Sequence, residues 1–262
     1  MPSPDQVRCL LKCFGIDRKV ASIAIVGGGG KTSLMYALAE RMVTKGKRVV
    51  TTTTTKIFPP APDQSPCIVL LKDAPNLEDL DDKLSRFGQV TLGGSLLPSG
   101  KLDSVPEAVI RSCLEYADHV IVEADGAAGR PIKAPEEWEP VIPGSTDMVI
   151  AVVGLDCLGN PADAQWVFRL ERFRSITELE NSQVITPEAI ARLLAHPLGA
   201  FKGAPEKAVL VPFLNKADLL EVQWNMTKVV NRIFPTAGER INRIVGGSLK
   251  AAMKVRPYSR PG

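Results

Sequence analysis

IAIVGGGGKTS, Ile23 to Ser33, is the stretch that decides the fold. Apolar, β-branched residues enter four consecutive glycines, then Lys-Thr, then a stretch with Leu34, Leu38 and Met42 on one helical face. Glycines remove the Cβ atoms that would keep backbone N–H groups away from an anion, and a helix N-terminus adds partial positive charge. The sequence therefore predicts a phosphate-binding loop made of Gly27, Gly28, Gly29 and Gly30, with Lys31, Thr32 and Ser33 at its end. Lys31 is expected to reach the outer phosphates and Thr32 to ligate Mg²⁺. In the strict Walker A spacing the first glycine would stand where Ile25 does, so a tighter or differently shaped loop is expected. In the empty loop Lys31 is expected to be an exposed charge. A ligand-free turn between strand and helix would use the same glycines, but strand, glycines, Lys-Thr and helix in this order favour phosphate.

Outward from that loop, short apolar runs alternate with amphipathic stretches, the pattern of βα units and a parallel sheet. Strands are predicted at Ala21–Val26, Arg48–Thr53, Cys67–Leu71, His119–Ala124, Met148–Val153, Ala208–Phe213 and Arg240–Val245. Several lack alternation, as strands covered on both faces do. The expected fold is α/β, a P-loop NTPase-like three-layer sandwich with helices on both faces of a mostly parallel sheet. Leu219, Val222, Met226, Val229, Val230 and Ile233 predict a further helix. Phe58–Pro66 is a Pro-rich loop. Leu155 to Glu206 offers no strand but two helical pieces, about Ala164–Glu180 and, opened by Thr186-Pro187, to Ala195. It reads as an insertion at about 155–206, a cap over the site, in a single domain of residues 1–262. Pro257–Gly262 reads as a frayed tail. No internal repeat is visible.

Three further motifs converge on a nucleotide. In VIVEADGAAGRPIKAP, Val120 to Pro135, an apolar strand ends in two carboxylates that alternation sends to one side. Asp125 is the better candidate for the water shell of a metal, with Glu123 sharing that task or polarising the attacking group; an acidic strand end capping a turn is the plain alternative. Arg130 and Lys133 follow as anion-binding or simply solvated charges. VLVPFLNKADLL, Val209 to Leu220, contains Asn215-Lys216-Ala217-Asp218, similar to the NKxD element of GTP-binding proteins. A carboxylate at Asp218 can accept from guanine N1–H and N2–H, donors that adenine lacks at that edge. Asn215 would hold the loop and the Lys216 stem would pack along the base; otherwise Asp218 caps a helix starting at Leu219. Gly247-Ser248-Leu249-Lys250 loosely resembles a base-supporting loop. Finally, Thr51 to Thr55 and Lys56 put hydroxyls at a strand end, where one threonine could complete a Mg²⁺ shell.

Composition narrows the class. At 262 residues, 45% hydrophobic and 23% charged, the chain is neither disordered nor fibrous. A net charge of +3 is too small for binding nucleic acid through phosphate neutralisation. No apolar run approaches the ~18 residues of a membrane span, and MPSPDQVRCLLK has no signal-peptide core, so a cytoplasmic protein is expected. Five irregularly spaced cysteines fit a reducing compartment, and two histidines make a His-based metal site improbable. Small buried residues are the default reading of all five; Cys9 and Cys13 share one helical face, and Cys157 is expected to emerge near the nucleotide edge of the sheet.

Taken together, GGGGKTS, TTTTTKIFPP, EADGAAGRPIKAP, VVGLDCLG, ITPEAIARLL, GAFKGAP and FLNKADLL resemble the YqeC family, described as accessory proteins of selenium-dependent molybdenum hydroxylases. That resemblance implies a part in maturing a selenium-containing molybdenum cofactor, with the hydroxylase or a maturation protein as partner. The residues themselves predict a nucleotide-binding hydrolase preferring GTP (ATP otherwise) with Mg²⁺, in which Lys31, Glu123 and Asp125 act and Thr32 and Asp125 hold the metal. Two other classes stay open at this point. One is an ATP-dependent small-molecule kinase or activating enzyme, its acceptor pocket formed by Arg169, Arg172 and Arg174; the other is a non-catalytic carrier.

Overall fold

A computed structural model describes residues 10–16, 20–74, 76–77, 79–180, 183–221, 224–250 and 254–260. Cys9 and Val222, invoked above, and the last two residues of the expected tail lie outside the described residues.

Strand β1 (Ser22–Gly27) is buried along its whole length and sits in the middle of the sheet. On one side come β5 (His119–Glu123), β2 (Val49–Thr53), β4 (Gln89–Gly93) and β3 (Ile68–Leu70). On the other lie β7 (Met148–Gly154), β9 (Val209–Asn215), β10 (Arg243–Gly247) and β11 (Val255–Ser259). Every pairing is parallel except β10 with β11. A short parallel ladder of β6 (Ile132–Lys133) and β8 (Val167–Phe168) stands apart from this sheet.

Side chains of β1 alternate between two cores. Ile23 and Ile25 join Leu34, Leu38 and Met42 of helix α1 (Lys31–Val43) on one face. Ala24 and Val26 join the other face, where α4 (Leu170–Thr177), α5 (Pro187–Ala195) and α6 (Met226–Ile233) contribute Phe173, Ile190 and Ile233. Beneath β2, β4 and β5, helices α2 (Leu80–Phe87) and α3 (Glu107–Ser112) close a third cluster with Leu84 and Ile110. This is the α/β three-layer arrangement expected from the sequence. The 155–206 stretch, expected to hold no strand, contains β8, because Val167 and Phe168 pair with β6, and it packs α4 and α5 beside α6 on the sheet face of Ala24 and Val26. Thr186 caps α5 by accepting from the Ala189 amide at 3.3 Å.

All seven predicted strands form, and the differences elsewhere have physical causes. β4 escapes sequence reading because QVTLG is short, half polar and followed by glycine. It is nevertheless buried, and Thr91 meets Thr51 of β2 hydroxyl to hydroxyl at 2.8 Å. The expected frayed tail is strand β11, in which Pro257 is accepted because the strand is an edge. Leu219, expected to start a helix, is 58% exposed in a 3-10 turn (Ala217–Leu219). The helix begins at Met226, capped by Asn225, whose side chain accepts from the Lys228 amide at 2.9 Å. Asp218 therefore does not cap it.

Candidate functional site

β1 ends at the C-terminal edge of the sheet, and its last residue already turns with φ +93°. A Cβ on Gly27 would strike the Val152 carbonyl of β7, so the loop hugs the neighbouring strand as only glycine permits. Gly30 (φ +128°) is the N-cap of α1, and its place is fixed from across the sheet: a Cβ there would lie 2.5 Å from Asn215 Nδ2. No acidic residue belongs to the first turn of α1 and no side chain caps it, so its N-terminal amides are not taken by a cap. Ser33 is exposed on that turn.

Lys31 is not the exposed charge expected. It is 6% exposed, donating to the Gly27 carbonyl at 2.8 Å, with its ammonium 3.3 Å from Asp125 Oδ1 and 3.7 Å from Glu123 Oε1. The reason is the alternation of the strand end, which sends both carboxylates to the side on which α1 starts. Thr32 donates to Glu123 Oε2 at 2.6 Å. Burial pushes the Glu123 carboxyl above the usual carboxylate range, against the opposing pull of Lys31 and the Thr32 hydroxyl.

Asp125 has a different set of partners. Its Oδ2 accepts from the Gly27 amide at 3.0 Å and lies 3.4 Å from Lys133 Nζ. Thr32 meets Glu123 rather than Asp125, the carboxylate expected to share a metal with it; Asp125 is drawn to the loop amide and between two lysines. Lys133 is corrected as well. It is fully buried on the protein's own carboxylates rather than open to solvent or a ligand: its ammonium donates to Gly126 O at 2.7 Å and Glu139 Oε2 at 2.9 Å and lies 3.4 Å from Asp125 Oδ2. Although burial opposes ionisation of Glu139, its bond to Lys133 and the nearby Arg169, 3.5 Å away, hold it below the ordinary range. Lys31, Glu123, Asp125, Lys133 and Glu139 form one continuous chain of charge. Arg130 is half-buried and donates to Ala164 O at 2.7 Å. Arg169, Arg172 and Arg174 are engaged with Glu139, Glu136 and the Ala162 carbonyl.

The NKAD element arrives from the opposite side of β1. Asn215 Nδ2 donates to Gly29 O at 2.9 Å, while its Oδ1 accepts from the Leu249 amide at 3.3 Å. Asn215 thereby joins the glycine loop to the Gly247–Lys250 segment. Lys216 has a left-handed backbone (φ +63°), and its ammonium donates to Asp156 Oδ2 at 2.6 Å. Asp218 is exposed. Of the threonines, Thr51 and Thr52 are spent on β4, through Thr91 and Leu92 O. Thr53 donates to Glu123 O at 2.8 Å and Thr54 to Val141 O at 2.7 Å. Cys157, just past the end of β7, is wholly buried like an ordinary small core residue, and burial pushes its thiol far up.

Glu139 and Asp156 were not singled out from the sequence. Asp156 carried a usable signal, an acidic residue just past an apolar strand. Glu139, beside Trp138 and Pro140, carried none.

Among solved structures, the chain is similar to chloroplast FtsY from Physcomitrella patens. Identity is 14%, the match covers 98% of this chain and 70% of that one, and the TM-score is 0.47. It is also similar to the signal recognition particle 54 kDa protein from Aeropyrum pernix K1 in complex with GDP (17% identity, 95% and 48% covered, TM-score 0.38). Likenesses that remote transfer no function. Sequence relationship is closer: YqeC of Escherichia coli (strain K12) is 34% identical over 205 residues, 78% of either chain. Residues 23–171, more than half the chain, match the YqeC protein family. The chain belongs to the YqeC family.

Proposed function

We propose that this protein is a Mg²⁺-dependent, GTP-preferring P-loop nucleotide-binding protein that hydrolyses its nucleotide, in the cytoplasm, during maturation of a selenium-dependent molybdenum hydroxylase or its cofactor. The observation behind the nucleotide reading is the meeting of Lys31 and Thr32 with Glu123 and Asp125 under four close-packed glycines. The pathway rests on what the family resemblance implies.

Thr32 fits a metal ligand. Its hydroxyl hydrogen is given to Glu123, which leaves the oxygen lone pairs available to a cation. Among the described residues no group of three or more His, Cys, Asp or Glu is placed to hold a metal. Mg²⁺ is bound through one or two protein oxygens plus substrate phosphates, and Thr32 would supply one of them. A bound Mg²⁺ would neutralise charge on the β- and γ-phosphates. In this reading Glu123 replaces Asp125 as the carboxylate of the metal site, orienting Thr32. Asp125 holds the Gly27 amide and so the shape of the loop. Lys31 exchanges its carboxylate contacts for phosphate oxygens and stabilises charge that develops there. Asn215 fixes Gly29, and Asp218 reads the base. Among the described residues no helix is long and apolar enough to cross a membrane.

Calorimetry with GTP and ATP, with and without Mg²⁺, and an assay of phosphate release test this. Binding of GTP with Mg²⁺ and slow release of phosphate are expected. Glu123→Gln should abolish the Mg²⁺ dependence of affinity, and Asp125→Asn should retain it. The reverse pattern would return the metal to Asp125, and the absence of nucleotide binding would end the reading.

A further inference from the structure

The ion pair Lys216–Asp156 lies beside the base-reading turn and is not needed to bind phosphate. Asp156 sits in a short turn (Leu155–Cys157) after β7, directly over Gly154: a Cβ on Gly154 would come 2.6 Å from Asp156 Oδ1 and 3.2 Å from the Gly29 Cα. The carboxylate therefore lies between the glycine loop and the end of β9. One oxygen, Oδ2, holds the Lys216 ammonium at 2.6 Å; the other, Oδ1, is buried with no hydrogen-bond partner. The Asp156 side chain is only 20% exposed.

Lys216 has a second acidic residue close in sequence. Asp218 stands two positions on, exposed, and among the described residues no Lys or Arg forms an ion pair with it. An exposed carboxylate keeps its hydration and gains little from an ammonium. A half-buried carboxylate with one orphan oxygen loses much more when its only cation leaves. Lys216 therefore stays on Asp156.

We propose that Asp156 is a positioning residue for base selection. It sequesters the Lys216 ammonium so that the Asp218 carboxylate remains free to accept two hydrogen bonds from the base. This rests on the reading of Asp218 as the base reader. Without Asp156 the freed ammonium competes with the base for the Asp218 carboxylate and penalises GTP more than ATP.

Competition binding of GTP and ATP to the full chain tests the idea. Wild-type protein should prefer GTP, and Asp156→Ala should lower the GTP-to-ATP affinity ratio about threefold, the worth of an exposed ion pair that competes with the base. In a Lys216→Met background, where the stem stays and the ammonium is gone, Asp156→Ala should shift that ratio by less than about twofold. Asp156→Asn, which keeps the shape and removes the charge, should repeat the first result if the alanine variant folds poorly. A wild type without base preference overturns the reading of Asp218 and this proposal with it. A GTP-preferring wild type whose ratio is untouched by Asp156→Ala and Asp156→Asn, or falls equally without Lys216, overturns the proposal alone.

Discussion

The two flanks of β1 are built on opposite principles. On the β5 side, Lys31, Glu123, Asp125, Lys133 and Glu139 are packed into a charge chain in which Lys133 is 1% exposed and Asp125 2%. On the β9 side, Asn215 ties Gly29 to the Leu249 amide and Lys216 makes one ion pair, while Asp218 is left in water. Charges withdrawn from water must be mutually compensated, so removing one strands the others. Hydrated groups answer for themselves alone. Changes on the first flank should therefore damage the fold as well as binding, and a change at Asp218 on the second should alter selectivity and spare the fold.

Lys31→Met gives the largest effect that could break this contrast. The substitution preserves the apolar stem and removes the cation shared by Glu123 and Asp125. It should destabilise the nucleotide-free protein by about 3 kcal/mol at pH 7, measured by urea unfolding, besides abolishing Mg-nucleotide binding. Wild-type stability with lost binding would mean that the lysine is held for the ligand alone and that the two flanks do not differ in kind.

Glu139→Gln gives a smaller effect with a defined pH signature. Glutamine can still accept from Lys133, so the loss is the charge, about 1 kcal/mol at neutral pH. The folded-state carboxyl of Glu139 is depressed below its ordinary value of 4.5. The unfolded chain thus binds its proton at a higher pH than the native protein does. The stabilisation is fully present above the unfolded value and disappears as pH falls through the folded one. Wild type and variant should differ at pH 7 and converge as the medium becomes strongly acidic. A difference that persists unchanged in acid would assign the effect to packing rather than to charge.

What the sequence discloses follows the same division. The glycine loop, both carboxylates and the NKAD turn were legible because each depends on a local pattern, strand then turn then helix. The states of their side chains were not. That Lys31 is buried depends on Glu123 and Asp125, some 90 positions later in the chain. Lys133 could not be distinguished from a solvated loop charge without knowing that Glu139 returns to it across a chain reversal. β4 and β11 are strands because of their neighbours, the one through the Thr51–Thr91 contact and the other through pairing with β10. Their own residues say turn or tail.

Asp218→Asn should have the least effect on the fold and so marks the other end of the contrast. The side chain is exposed in a one-turn 3-10 segment, and exposed substitutions of this kind stay within about 0.5 kcal/mol. Its effect on selectivity should be large for a physical reason. Guanine offers two donors that a carboxylate accepts and an amide cannot accept in full, whereas xanthine has a carbonyl at C2, which an amide N–H₂ can satisfy. GTP affinity should fall about tenfold or more and XTP affinity should rise, with ATP unaltered. Thermal unfolding of the same sample supplies the control. If stability falls as it does for Lys31→Met, the base side is as tightly coupled as the phosphate side. If base preference is unmoved, the exposed carboxylate does not face the base, and Asn215 alone describes what NKAD does here: it holds Gly29.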